Sequence, residues 1–240
     1  MSSANLDKSP DRIQSLFDTL APRYDFLNHF ISFGIDRTWR WRSVRRLRPE
    51  LDGPILDLCT GTADFAIAFA KRNPSRNIVG LDFSAKMLEF GRKRVEKAGL
   101  STQIELVEGD ALALPFDDNA FSLVSVSYGL RNMSDPLQGL REMTRVCKPG
   151  GKVAVIEFCM PNRGWFAPIY WFYFRHIMPR FGALVTGNTV DAYRYLFESV
   201  AAFPQGEALA DMMREAGLAQ IAQHPMTFGT VAINIGIKKD

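Results

Sequence analysis

Four short runs in this chain carry the side chains from which a nucleoside site can be made: Cys59-Thr60-Gly61-Thr62, Asp82, Gly109-Asp110-Ala111 and Ser127-Tyr128. The first is built of small residues, which let a ligand come up against the backbone. An acid at the end of a strand, as Asp82 would be, accepts hydrogen bonds from both hydroxyls of a ribose. Asp110 beside the amide of Ala111 suits the edge of an adenine. Two kinds of nucleotide ligand are separated by the first loop. A dinucleotide site wants G-x-G-x-x-G opening a helix whose N-terminus cradles a pyrophosphate. Here the run is Gly61-Thr62-Ala63-Asp64, and a carboxylate at Asp64 repels phosphate. It tolerates a ligand with no phosphate and a cationic sulfonium and amine, which is S-adenosylmethionine.

For these residues to meet, they must lie beyond the carboxyl ends of adjacent parallel strands, at a topological switch point. The chain is patterned to do this. Pro54 to Cys59 is a short apolar strand leading through Thr60-Gly61-Thr62 into an apolar helix, Asp64 to Ala70. Asn77 to Asp82 reads as a second strand, Ser84 as an N-cap, and Met87, Leu88, Gly91, Val95 and Ala98 as the buried stripe of the helix that follows. Gln103 to Val107 and Phe121 to Ser127 are further strands. Ser134-Asp135-Pro136 starts a helix carrying Leu137, Leu140, Met143 and Cys147, which Pro149-Gly150-Gly151 stops before a fifth strand, Lys152 to Phe158. Leu209, Met212, Met213 and Ala216 mark a last helix ended by Gly217. Ala219 to Phe228 and Val231 to Ile237 then form a hairpin around a tight Gly229-Thr230 turn. The fold class is α/β, a doubly wound Rossmann-like sheet with an antiparallel hairpin at its edge.

Two stretches lie outside that alternation. Before the first strand, Ile13, Leu16, Phe17 and Leu20 share one face of a short helix closed by Pro22, and a second helix from Asp36 to Arg48 interleaves six arginines with Trp39 and Trp41. Between the fifth strand and the last helix, seven of the ten residues from Trp165 to Phe174 are aromatic. The organisation expected is one domain over 1–240, with a helical cover (1–50), a cofactor core (51–158), a substrate-side insertion (159–204) and a closing helix and hairpin (205–240).

The composition is that of an ordinary globular protein: 240 residues, 47% apolar and 23% charged, with 29 Lys+Arg against 26 Asp+Glu for a net charge of +3. So small an excess of positive charge leaves little electrostatic footprint for nucleic acid. Cys59, Cys147 and Cys159 have no C-x-x-C spacing, and with His29, His176 and His224 scattered no metal site is expected. Met1 to Asp11 has no apolar core of a signal peptide, and no apolar run approaches a membrane span, so a cytoplasmic protein is expected.

The runs ILDLCTGTAD, VGLD, GDALALPF and SYGLRNMSDPLQGLREMTRVCKPGGKVAVIEF resemble class I S-adenosylmethionine-dependent methyltransferases, specifically the quinone C-methyltransferases of menaquinone and ubiquinone synthesis. The resemblance extends to FDTLAPRYDFLNHFISFGIDRTWR and to DAYRYLFESVAAFP, and so covers nearly the whole chain. It implies that Gly61, Thr62, Asp82, Asp110, Ala111 and Ser127 contact the cofactor, as the strand-end reading also has it. Ala63 in GTAD, and ISFGIDRTWR, look like the demethylmenaquinone branch, whereas the ubiquinone branch more often shows GTGD. The family's usual V-A-x-H-x-G is here Val231-Ala232-Ile233-Asn234-Ile235-Gly236, with Asn234 in place of the histidine.

The reaction implied is transfer of a methyl group to a ring carbon of a reduced polyprenyl quinone, demethylmenaquinol first and the benzoquinol of ubiquinone synthesis as the alternative. The ring carbon is nucleophilic once a phenolic oxygen loses or shares its proton. With a phenol pKa of about 10, roughly one quinol in a thousand is ionised at pH 7, and lowering that pKa by about 3 units corresponds to about 4 kcal/mol. The candidates for supplying this are Tyr24 and Asn28 on the cover, Arg131 and Asn132 after the fourth strand, and Asp191 with Tyr195 in the insertion. Arg131 would stabilise the phenolate, and Asp191 or Tyr24 would relay its proton. A polyprenyl substrate also implies transient contact with the cytoplasmic membrane surface, expected through Trp165, Phe166, Trp171 and nearby arginines. Rival readings are an N-methyltransferase, disfavoured because Ser127-Tyr128-Gly129-Leu130 stands where such enzymes commonly carry [N/D]-P-P-[Y/F], an inactive cofactor-binding module, and a nicotinamide-binding protein.

Overall fold

Seven strands form one sheet in the order β3-β2-β1-β4-β5-β7-β6. The computed structural model describes residues 8–21, 29, 32, 34–161, 166–173 and 190–239. The central strands are β1 (Ile55–Leu58), β2 (Ile78–Asp82), β3 (Ile104–Glu108), β4 (Phe121–Ser127) and β5 (Cys147–Phe158), with β6 (Leu218–Met226) and β7 (Val231–Lys238) completing the sheet. β1 pairs in parallel with both β2 and β4, so successive crossovers leave in opposite directions and open a crevice beyond their carboxyl ends.

Alternation along each strand divides the core in two. Leu56, Val124, Val126, Val153 and Val155 face one layer with α5 (Pro136–Val146) and α8 (Glu207–Glu215), through Leu140, Met143, Leu209 and Met213. Ile55, Leu123, Ala154 and Ile156 face the other, against α2 (Asp36–Arg46), α3 (Asp64–Arg72) and α4 (Ala85–Lys97), through Trp39, Val44, Phe65, Phe69 and Val95. Both faces of β1 and β4 are covered, so apolar residues stand on both sides of these strands, and the polar Asp57 and Ser125 within them are buried and hydrogen-bonded. Each such Leu, Ile or Phe contributes roughly 1.5–3 kcal/mol by leaving water.

The expected capping residues hold. Ser84 Oγ accepts from Met87 N–H at 3.1 Å and Asp135 Oδ1 from Gln138 N–H at 3.0 Å, with Pro136 in the first turn. Some boundaries differ from the sequence reading. β5 begins at Cys147 rather than Lys152, because Cys147 already pairs with Phe121 and a register shift absorbs the Pro-Gly-Gly run. The last hairpin turns through a 3-10 segment, Thr227–Gly229, instead of a tight Gly229-Thr230 turn, so β6 stops at Met226. The antiparallel strand is also not at the edge: β7 lies between β5 and β6, and β6 outside it runs parallel to the core strands again.

The remaining described helices are α1 (Pro10–Leu20), α6 (Phe166–Phe172) and α7 (Val190–Ala202). α1 is fastened over the end of β2. Gln14 Nε2 donates to the Phe83 carbonyl at 3.4 Å, and Ser84 Oγ donates to Asp18 Oδ1 at 2.5 Å. Asp57 sits inside β1, buried, and accepts from Thr60 Oγ1 at 2.8 Å and from Ser125 Oγ at 3.0 Å. It thus ties the turn after β1 to β4.

Burial pushes the Asp57 carboxyl up to about 7, against the hydrogen bonds from Thr60 and Ser125. Its folded value lies above the unfolded one, so the native state holds the proton over more of the pH range. Ionisation therefore opposes folding as pH rises from about 4 to 7, by a total on the order of 4 kcal/mol. Asp57→Asn should melt several degrees above the wild type at pH 8 and converge with it towards pH 5, as followed by circular dichroism. A variant that melts lower by the same amount at both pH values would show that the two acceptor oxygens matter and that Asp57 does not titrate across this range.

Candidate active site

Backbone in the left-handed region gathers where β1 and β4 end: Cys59 (φ 53°), Gly61 (φ 55°), Ala63 (φ 66°) and Tyr128 (φ 60°). Three of these are not glycine, and each such residue costs of order 1 kcal/mol or more. The reversals leave room for a cavity of about 600 Å³ between the two strand ends. Gly129 is required there, since a Cβ on it would sit 2.4 Å from Cys59 Cβ. Gly61, Asp82, Asp110, Ala111, Ser127 and Asn132 all line the cavity, which brings the strand-end candidates together as expected. Thr62 is buried beside them but its hydroxyl turns away, accepting from Arg94 Nη1 at 2.8 Å.

Asp82 does two jobs with one carboxylate. Oδ2 accepts from Gly61 N–H at 2.8 Å and Oδ1 from Ser84 N–H at 3.0 Å, which clasps the loop after β1 to the start of α4. Burial pushes the carboxyl up to about 6, opposed by the N–H groups of Ser84, Gly61 and Phe83. Each oxygen keeps a second lone pair for a ligand hydroxyl. Ser127 Oγ is buried at the cavity wall with no hydrogen-bond partner among the described residues, an acceptor or donor left for a ligand. Asp110 is exposed, and its Oδ1 accepts from Leu112 N–H at 2.8 Å.

Phosphate is disfavoured for a different reason from the one the sequence suggests. Asp64 is ion-paired with both Arg40 and Arg94, so its charge is neutralised from outside the loop. Instead, the Gly61 N–H that a pyrophosphate would need is already taken by Asp82. An anion there would displace an existing hydrogen bond and meet a carboxylate.

Beyond β4, a 3-10 turn (Leu130–Asn132) carries the second group of candidates. Tyr195 of α7 donates from Oη to Asn132 Oδ1 at 3.0 Å, and Asn132 Nδ2 reaches the Tyr128 carbonyl at 3.3 Å. Arg131 also donates to that carbonyl, and its guanidinium is paired with buried Glu157 at 2.8 Å. Arg131 does not line the cavity among the described residues; its charge is already matched. Tyr24, Asn28 and the side chain of Asp191 lie outside the described residues, as do Trp165 and the side chain of Phe166.

Several lining residues carried no signal in the sequence. Lys8, Gln14 and Phe17 reach the cavity from α1 and the residues before it, and Phe83, Met87 and Met133 supply apolar wall. The Lys8 ammonium is held below the ordinary lysine value, first by burial and then by Arg131, with Glu157 acting the other way. The periodicity of α1 shows which face is buried, but a lone lysine in a polar segment gives no hint of its partner. Asn234, by contrast, is removed from the site: it is buried within β7, Nδ2 towards the Val155 carbonyl at 3.4 Å, and does not line the cavity. All three cysteines are pushed up by burial and stand as packing thiols.

A 3-2-1-4-5-7-6 sheet with its cavity at the β1/β4 switch point defines the class I S-adenosylmethionine-dependent methyltransferase fold. The solved structure of a SAM-dependent methyltransferase from Thermotoga maritima superposes with a TM-score of 0.65 over 94% of this chain and 99% of that one, at 20% identity. Within that class, residues 5–238 match the ubiE/COQ5 methyltransferase family, and the chain belongs to it. The demethylmenaquinone methyltransferase of Deinococcus radiodurans is 44% identical over 227 residues, 95% of this chain and 92% of that protein. The ubiquinone/menaquinone biosynthesis C-methyltransferase UbiE of Geotalea daltonii is 39% identical over 234 residues, 97% of this chain and 99% of its own length. The protein is therefore a methyltransferase whose cofactor is S-adenosylmethionine.

Because the Asp82 carboxyl lies near 6 and a ribose diol binds its ionised form, cofactor affinity should fall about tenfold per pH unit below that value. Asp82→Asn, which keeps one acceptor for the backbone clasp, should raise the cofactor dissociation constant about 10- to 100-fold and remove the pH slope. Calorimetric titration at pH 5, 6 and 8 checks both, and an unchanged affinity would refute the assignment.

Proposed function

We propose that this protein methylates a ring carbon of a reduced polyprenyl quinone, converting demethylmenaquinol to menaquinol. The observation that carries this reading is the joining, in one chain of the ubiE/COQ5 family, of a phosphate-excluding nucleoside cavity to Asn132 in its wall, held there by Tyr195 and the Arg131 turn. Bound S-adenosylmethionine supplies an electrophilic methyl group. Asp82 holds the ribose, Asp110 and Ala111 the adenine, and Ser127 with the Gly61-Thr62 backbone the amino-acid part. Arg131 is a positioning residue in this scheme: locked to Glu157, it fixes the turn that presents Asn132. Lys8 takes the part the sequence assigned to Arg131, a cationic donor within the cavity for the developing phenolate.

Within this reading the cover (1–50), core (51–158), insertion (159–204) and closing hairpin (205–240) act as one domain. The substrate is a membrane lipid, so the protein works as a peripheral protein on the cytoplasmic leaflet. Among the described residues no helix is long and apolar enough to cross a membrane.

The deciding assay incubates the protein with methyl-labelled S-adenosylmethionine and chemically reduced demethylmenaquinol or the demethylated benzoquinol. Label in the naphthoquinol is expected; label in the benzoquinol alone would move the protein to ubiquinone synthesis. Lys8→Met should lower kcat by about 100-fold while the cofactor dissociation constant stays within about threefold, and Lys8→Arg should restore most of the rate. Equal losses in rate and cofactor affinity would place Lys8 on the cofactor instead.

A further inference from the structure

Five large apolar side chains are exposed among the described residues: Ile35, Trp41, Trp171, Phe172 and Phe228. Four of them lie at one end of the molecule, and the hydrogen-bond map shows which. Ile35 precedes α2 and lies one turn from Trp39, whose Nε1 donates to Thr227 Oγ1 at 2.8 Å, beside Phe228. Thr230, closing the same turn, accepts from Cys159 N–H at 2.8 Å just past the end of β5. Trp171 Nε1 returns to the Pro161 carbonyl at 3.3 Å, two residues further on. The chain from Ile35 to Trp171 therefore follows the carboxyl edge of β5 and the start of β7. Phe158 ends β5 against Val231, and its ring stacks at 4.5 Å on Tyr128, a wall of the cavity. The exposed apolar rim and the mouth of the site are on the same end of the sheet.

The turn that carries Phe228 is an expensive way to display an aromatic ring. Thr227, Phe228 and Gly229 are consecutive left-handed residues, with φ of 46°, 55° and 84°, and Phe228 is 69% exposed. Strain of this kind persists where the surroundings enforce it, and it marks sites of use. Here the Trp39 bond to Thr227 and the Thr230 bond to β5 enforce it. Next to the rim, α2 sets Arg37, Trp41 and Arg45 at a spacing of four on its exposed face, with Arg42 also exposed and Arg45 stacked over Trp41 at 5.2 Å. Its one acid, Asp36, is already engaged by Ser32, His29 and Arg40. The charge that α2 turns outward is positive and unbalanced within the helix.

We propose that this end of the protein is its membrane-docking face. Ile35 and the Phe228 turn enter the headgroup region, with Trp171 and Phe172 beside them, while Arg37, Arg42 and Arg45 meet anionic phospholipid. The proposal deepens the lipid-quinol reading above and rests on it for its purpose: the site mouth would open onto the bilayer that holds the substrate. It moves the principal contact from the aromatic insertion to the α2 helix and the β6–β7 turn. The chemistry selects anionic lipid because exposed arginines and Trp41 share the outer face of α2 beside the exposed Phe228 turn.

The test is flotation of the full chain with vesicles of phosphatidylcholine containing 30% phosphatidylglycerol, against phosphatidylcholine alone. The protein should float with the first and not the second, and high salt should release it. Phe228→Ser should lower partitioning about tenfold, and the double change Arg37→Gln with Arg42→Gln about 25-fold, at roughly fivefold per arginine. These side chains are exposed, so melting temperatures should stay within a few degrees. Methyl transfer to a short-chain demethylnaphthoquinol in solution should be unaffected by the changes, while transfer to a long-chain quinol in vesicles drops with partitioning. If the wild type floats and the variants sink but no quinol is methylated, the docking face stands and the substrate reading fails. The proposal is overturned if all variants float like the wild type. It is also overturned if the wild type ignores both kinds of vesicle, whether or not it dimerises through Phe228.

Discussion

Burial of the Asp82 carboxylate at the end of β2 is the constraint on which the rest of this site depends. Parallel pairing of β1 with β2 sets Asp82 beside the loop that leaves β1, and the low-dielectric environment makes an unsatisfied charge there untenable. The carboxylate is held by the N–H groups of Gly61 and Ser84, and those two bonds define the loop and the start of α4. Ser84 in turn binds Asp18 and so secures α1 as the roof of the cavity. Asp57, buried in the neighbouring strand, raises the cost of a second charge and anchors Thr60 and Ser125. Loop, helix start and roof therefore depend on the Asp82 carboxylate, while Asp57 ties the turn after β1 to β4.

The ion pairs divide along the same lines. Asp64 between Arg40 and Arg94 couples the cover helix α2 to the start of α3 and, through Arg94, to Thr62. Glu157 and Arg131 are both buried, and such a pair adds little net stability because desolvation offsets attraction. What it provides is position: Glu157 also receives the Arg131 backbone N–H, so the 3-10 turn has one arrangement and Asn132 points to Tyr195. With the Arg131 charge matched by Glu157, Lys8 is a cation that lines the cavity, and it comes from the far end of the chain.

An aromatic series joins the cavity to the outer surface. Phe65 meets Tyr128 at 6.3 Å, Tyr128 stacks on Phe158, and Trp39 packs edge-on to Phe158 at 6.0 Å. The Asp82 side of the cavity is polar and clasped by backbone N–H groups, whereas Tyr128 in its wall leads through packed rings to Trp39, which bonds the turn carrying exposed Phe228. That polarity matches a reaction between a charged nucleoside and a lipid ring.

Much of this was determined by the sequence alone. Apolar runs and Ser84 and Asp135 as caps depend on interactions within a few residues, so strand and helix order could be read directly. Gly61, Asp82, Asp110 and Ser127 could be assigned to one ligand because each falls at a strand end, and parallel sheets bring strand ends together. Tertiary structure decided what depends on partners distant in sequence. Asp64 is silent because Arg40 and Arg94 reach it; Arg131 is withdrawn because Glu157 lies behind it; Lys8 lines the cavity because α1 is pinned over β2. The insertion of β7 between β5 and β6, which carries Asn234 into the sheet and away from the site, rests on hydrogen bonds between backbones. A residue's type states which charge or hydrogen bond it can offer, and only the fold determines whether another side chain has already taken it.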